Sequence, residues 1–219
     1  MREREFKPLQ KLAYDHIKKL ITENVLEYGR IYSESKIALE INISRTPVRD
    51  AVHRLYQEGY IEIVPNKGFM LHRIDEKDVY EINEVRTAIE GYCARRLAKE
   101  RGEPGAAEAI RKMEEVLEKQ REIFRSSGLV DGFVEYDNLF HWYLVSYTGN
   151  EAFIDLIERY TYKIKELSRA SLAHADRMEA TIREHTAILE AIRQGDVKGA
   201  DEAVIIHMDT PLEIKLKEL

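Results

Sequence analysis

The chain has 219 residues, 44% of them hydrophobic and 34% charged, with a formal net charge of -6, a balance that excludes a disordered or low-complexity chain. No apolar stretch reaches the roughly 18 residues that cross a bilayer, and the opening MREREFKPLQKLAYDHIKKL is too charged for a secretion signal, so a cytoplasmic protein without a membrane partner is expected. A lone cysteine, Cys93, excludes an internal disulfide or a thiolate cluster.

The length suits two modest domains. Residues 1–74 hold 13 Lys and Arg against 10 Asp and Glu, a net of +3, which leaves 21 against 30, a net of -9, for residues 75–219. Halves of opposite sign are expected to meet different partners.

From Pro8 to Glu27, Leu12, Ile17, Leu20, Ile21 and Val25 recur at near-helical spacing, and Tyr28-Gly29 closes the run. Ser33 is placed to cap a short second helix through Leu39. After the connector Ile41-Asn42-Ile43, either Ser44 or Thr46 can cap a third helix; with Thr46 as the cap, Pro47 takes the first helical position, where its missing N–H costs nothing. Val48, Val52, Leu55 and Tyr56 make the inward stripe of that helix, Arg45 and Arg49 point outward, and Gly59 stops it. YIEIV and FML around Pro65-Asn66-Lys67-Gly68 then predict a β-hairpin.

Three short helices and a hairpin with a basic tip make a winged helix-turn-helix. The stretch SRTPVRDAVHRLYQEGYIEIVPNKGFML resembles the DNA-binding signature of the GntR family of bacterial transcription regulators, over about the first 74 residues. A third helix of this kind enters the major groove by its N-terminal end. Arg45 and Arg49 are then candidates for guanine edges, Ser44 and Thr46 for phosphates, and Lys67 with Gly68 for a wing tip against the backbone or in the minor groove. An isolated Arg pair is ordinarily a solvated helix face; the cap, the proline, the glycine stop and the wing in register favour DNA. Many family members carry an arginine directly after the Glu that opens the second helix. This chain reads Ser33-Glu34-Ser35-Lys36, so Lys36 is expected to take over a phosphate contact. A net of +3 is modest for a DNA binder, which points to a homodimer presenting two such domains to a palindromic operator.

Beyond Asp75 the pattern is helical throughout, broken by turn signals into six segments near 76–100, 105–125, 129–147, 150–172, 177–193 and 197–216. The expected whole is mainly α, a winged helix-turn-helix followed by an all-α bundle of six helices. Polar residues interrupt the apolar stripes. In the third bundle helix the inward series is Val130, Phe133, Asp137, Phe140, His141, Leu144; in the fifth it is Met178, Ile182, His185, Leu189, Ile192; in the sixth, Val197, Ala200, Val204, His207. One histidine on such a stripe is ordinarily satisfied by a backbone carbonyl. Four ligand-type side chains entering one core suggest a shared divalent ion, and three imidazoles with a carboxylate suit zinc or nickel better than magnesium or calcium. In the first bundle helix the stripe Val79, Ile82, Arg86, Ile89, Cys93 carries a cation, Arg86, either for Glu90 one turn on or for an incoming anion.

The stretches VRTAIEGYCARRLA, EYDNLFHWYL and REHTAILEAIRQGD, with the late His207, resemble the FCD ligand-binding domain of the FadR branch of the GntR family, nearest its six-helix, VanR-like group. That resemblance implies Asp137, His141, His185 and His207 as metal ligands and Arg86 as the holder of a small carboxylate effector, in a dimerising domain spanning residues 75–219. The expected function is a ligand-responsive repressor. Two alternatives stay open on sequence: a metal-dependent hydrolase, since such an ion can activate water, and a regulator whose metal is purely structural.

Overall fold

The structure, a computed structural model, describes residues 8–23, 25–126 and 128–216. The chain divides into two compact units, residues 1–74 and 75–219. Among the described residues, no helix is long and apolar enough to cross a membrane.

The first unit holds α1 (Pro8–Thr22), α2 (Glu34–Glu40), α3 (Arg45–Gln57), β1 (Ile61–Val64) and β2 (Gly68–Leu71), with α3 packed on α1, α2 and β1. α1 ends at Thr22, short of the predicted Glu27, because the amides of Val25 and Leu26 both turn back to the Leu20 carbonyl. Its buried face is Ala13, Tyr14, Ile17 and Ile21, so Leu12 and Val25 of the predicted stripe are exposed while Leu26 is buried. Ser44, and not Thr46, stands at the N-cap of α3, which makes Pro47 the third helical residue. A proline is tolerated there because the first-turn amides have no intrahelical acceptor. Val48, Ala51, Val52 and Leu55 form the buried stripe, and Tyr56, predicted inside, is exposed.

β1 and β2 pair antiparallel with Ile61 opposite Leu71 and Val64 opposite Gly68. Asn66 in the connecting turn adopts a φ of 61°, a left-handed conformation that asparagine accepts more readily than most residues. Tyr32 exchanges backbone hydrogen bonds of 2.7 and 2.9 Å with Phe69. The hairpin is thereby tied to the segment before α2. This contact demands the glycine at 68: its φ is 133°, and a Cβ there would lie 2.0 Å from the Tyr32 carbonyl oxygen.

The second unit is the expected six-helix bundle: α4 (Glu76–Lys99), α5 (Pro104–Ser126), α6 (Val130–Ser146), α7 (Glu151–Leu172), α8 (Arg177–Gln194) and α9 (Val197–Leu216). α4 opens on a capping box in which Asp75 and Asp78 each accept the other's amide. It then packs against α6, α7, α8 and α9, burying Val79, Ile82, Ile89, Cys93 and Leu97 with two charged residues, Arg86 and Glu90. The core around it includes Met113, Phe140, Leu144, Ile188 and Ile192. Of the predicted stripes, Val130 and Ile182 are only half-buried and Val197 is exposed; the polar members are all inside.

Candidate metal centre and nucleic-acid interface

α6 contributes Asp137 and His141, one turn apart on its buried face; α8 contributes His185 and α9 His207. All four are buried, and one donor atom from each lies within 4.8 Å of the others. The Nε2 atom of His141 is 3.3 Å from that of His185 and 3.1 Å from that of His207, and Asp137 Oδ1 is 3.7 Å from His185 Nε2. Phe140 stacks on the His185 ring at 4.0 Å and 7°, fixing its plane.

Each imidazole is oriented from its far side. His141 Nδ1 meets Glu90 Oε2 at 2.5 Å, His207 Nδ1 meets Glu184 Oε2 at 2.7 Å, and His185 Nδ1 meets Gln120 Oε1 at 2.9 Å. Ionised carboxylates can only accept, so His141 and His207 carry their protons on Nδ1. Burial alone would raise the Glu90 pKa, but Arg86 and His141 outweigh it and take the carboxyl down to about 2. Burial likewise opposes ionisation of Glu184, yet its bonds to His207 and Arg177 leave its pKa lowered. Burial first, then the neighbouring imidazoles, hold the pKa of His185 well below the ordinary histidine value. Burial also lowers that of His207, although its bond to Glu184 acts in the other direction.

The consequence is a conflict that a bound cation would relieve. With Nδ1 protonated on both rings, His141 and His207 face each other with two lone pairs 3.1 Å apart, and burial disfavours an added proton on His207. Nitrogens bound at about 2.0–2.1 Å around one ion lie about 3.0 to 3.4 Å apart, which is the spacing found. The donor set therefore fits a divalent transition ion, with Glu90, Gln120 and Glu184 as the outer partners that such sites use to set tautomer and ring direction.

Sequence reasoning missed those outer partners as a set. Glu90 entered it only as the neighbour of Arg86, and in fact bridges Arg86 and His141: Arg86 Nε donates to Glu90 Oε1 at 2.8 Å. Gln120 is fully buried on the α5 stripe with Met113, Val116 and Leu117, the same polar-on-apolar signal that exposed the histidines. Glu184 had no such signal, because it adjoins His185 and is drawn in by Arg177, whose Nη1 and Nη2 reach its two oxygens at 2.6 and 2.7 Å. Arg177 itself is buried at the start of α8, behind Asp176 in a left-handed conformation with φ 61°.

A cleft adjoins the centre. Asp137 and His207 form part of its wall, with Arg86, Ser171, Arg177 and Thr181. Arg86 thus does pair with Glu90, and among the described residues its buried Nη2 has no hydrogen-bond partner; the same holds for Arg177 Nε and Ser171 Oγ.

In the first unit the predicted DNA-facing residues are placed differently. Ser44, Arg45, Thr46 and Arg49 on the first turns of α3, Lys36 on α2 and Lys67 in the hairpin turn are all exposed. The Ser44 hydroxyl makes no capping bond. Arg45 comes only within 3.9 Å of Glu34, which brings the starts of α2 and α3 side by side. Gly68 is half-buried against Tyr32, at the start of β2 rather than in the exposed turn.

The family model for the FCD domain matches residues 81–210, and that for bacterial regulatory proteins of the gntR family matches residues 9–71. The HTH-type transcriptional repressor RspR of Escherichia coli K12 is 27% identical over 201 residues, 92% of this chain and 86% of its own. The gluconate operon transcriptional repressor of Bacillus subtilis is 31% identical over 131 residues, 60% of this chain and 51% of its own. Among solved structures, McbR/YncC of E. coli matches with a TM-score of 0.71 at 20% identity, over 96% of this chain and 98% of that one. An FCD domain described as metal-free matches with a TM-score of 0.54 at 23% identity, over 66% of this chain and 96% of that one. These relatives are transcription regulators, and the hydrolase alternative falls with them. The chain belongs to the GntR family of bacterial transcription regulators, a gntR helix-turn-helix segment followed by an FCD domain, and is not an enzyme.

Proposed function

We propose that the protein is a cytoplasmic, homodimeric repressor of a palindromic operator, controlled by a small carboxylate that binds beside a divalent ion in the second unit. The observation that carries this reading is the convergence of three buried imidazoles on one point, each held from behind, next to a cleft that contains an unpartnered Arg86 Nη2. Asp137, His141, His185 and His207 would hold the ion, zinc or nickel by the chemistry of the donor set. When bound, the ion would supply positive charge beside the cleft and could accept an oxygen ligand. Arg86 Nη2 is suited to the same carboxylate, since guanidinium N–H groups make strong charge-assisted bonds to such oxygens.

On the DNA side, Arg45 and Arg49 would address base edges, with Lys36, Ser44, Thr46, Lys67 and Gly68 at the phosphates or the minor groove. Occupation of the cleft changes operator affinity to the extent that the acid binds one arrangement of the dimer better than the other. The test is fluorescence anisotropy of the zinc- or nickel-loaded chain on fragments of its own promoter, with and without a panel of small carboxylates. Specific binding that at least one acid weakens is expected. Absence of binding to every fragment sinks the DNA reading; binding that no acid alters, with a melting temperature that chelation lowers, leaves the ion a purely structural role.

A further inference from the structure

Two ridges of side chains run along α3, and the fold treats them oppositely. Asp50, Arg54 and Glu58 succeed each other one turn apart, the spacing that lines side chains into a ridge. All three are engaged. Gln10 Nε2 donates to Asp50 Oδ2 at 2.5 Å, the Tyr14 hydroxyl donates to Glu58 Oε2 at 2.5 Å, and Arg54 Nε donates to Glu58 Oε1 at 2.8 Å with its guanidinium 4.6 Å from the centre of the Tyr14 ring. Arg45, Arg49 and His53 repeat the same spacing and are exposed. Arg45 comes only within 3.9 Å of Glu34, and among the described residues the side chains of Arg49 and His53 have no hydrogen bond, ion pair or ring contact.

His53 stands apart from the other six of the seven histidines. His141, His185 and His207 converge on the centre, His16 and His72 face Glu40 and Glu62 at 3.2 and 3.0 Å, and His174 has a partner as well. A free imidazole in line with two free guanidiniums, while the parallel ridge is tied to α1, is arranged to meet a ligand from outside. We infer that His53 is a third base-reading residue of α3 and that it selects a purine. This rests on the DNA reading above. Readers about one turn apart on one helix face address successive bases, as in helices that take three base pairs from three such positions. The imidazole N–H makes a single bond where an arginine makes a fork. In the major groove N7 is an acceptor on guanine and adenine alike, whereas cytosine offers a donor and thymine sets a methyl group beside its acceptor. One N–H therefore separates purine from pyrimidine without separating the two purines.

Selection from a pool of random duplexes by the full chain tests this. The wild-type motif is expected to contain, in each half-site, one position that takes either purine over a pyrimidine by about three- to tenfold. His53→Ala should bring that ratio to about one at this position alone, with the melting temperature unchanged because the side chain is exposed. His53→Gln should sharpen the position to adenine, whose N6 and N7 match the acceptor and donor of an amide. Identical motifs from the wild type and His53→Ala overturn the inference and leave His53 a solvated residue. Uniform weakening on every sequence overturns it in favour of a phosphate contact, and no gain for adenine in His53→Gln overturns the direct bond to N7. In these cases the DNA reading stands, because a motif has been selected; if the wild-type chain enriches no motif, both fall.

Discussion

Arg45 and Arg49 in the first unit stand exposed, with Arg45 3.9 Å from Glu34, whereas Arg86 and Arg177 in the second are buried and each is tied to a glutamate. An exposed cation is solvated and keeps its valence for a partner at little cost, since surface pairs contribute about 0 to 1 kcal/mol. A buried one must be neutralised in place, and the neutralising group becomes part of the site. Here Glu90 and Glu184 each face an arginine on one side and a histidine on the other. The two halves of the chain therefore present charge by opposite routes, one by leaving it open and the other by surrounding it.

That contrast can be broken most forcefully at the centre. His141→Ala removes the ring that sits within 3.3 Å of both other imidazoles, and ion affinity should fall about 100- to 1000-fold, measured by competition with a chromophoric chelator. Glu90→Gln keeps the shape but leaves one acceptor oxygen where His141 and Arg86 use two, and removes the counter-charge of Arg86; a fall of about 10- to 100-fold in ion affinity is expected, and an unchanged value would reduce Glu90 to packing. On the exposed side, Arg49→Ala should cost about 1 to 3 kcal/mol of operator binding and relax the preference at one base position, while the melting temperature stays within what about 0.5 kcal/mol can shift. Uniform weakening on all sequences would make Arg49 a phosphate contact instead. Lys36→Ala carries the smallest effect, a few-fold loss on every sequence with the salt slope of binding reduced by about 1.

Much of this was legible in the sequence because each signal was a violation of a local rule. A histidine at 185 or 207 breaks an apolar period, and the fold honours the break by placing both rings at one point. The six bundle helices were readable from turn residues such as Gly195, which ends α8 with a left-handed φ of 74°. What escaped depended on distance in the chain. Nothing local to Glu184 shows that Arg177 and His207 converge on it, and nothing near Gly68 announces that Tyr32 will arrive against it. The rotation of the α1 face by one position, with Ala13 and Tyr14 inside and Leu12 outside, was likewise decided by packing and not by hydrophobicity.

The donors of the centre are strung out along the polypeptide, His141 and His207 lying 66 positions apart. During synthesis α6 and α8 leave the ribosome before α9 does, so an ion meeting the nascent chain finds an incomplete coordination shell. An ion held by these four residues would thus find its full set of donors only once α9 has docked on α6 and α8.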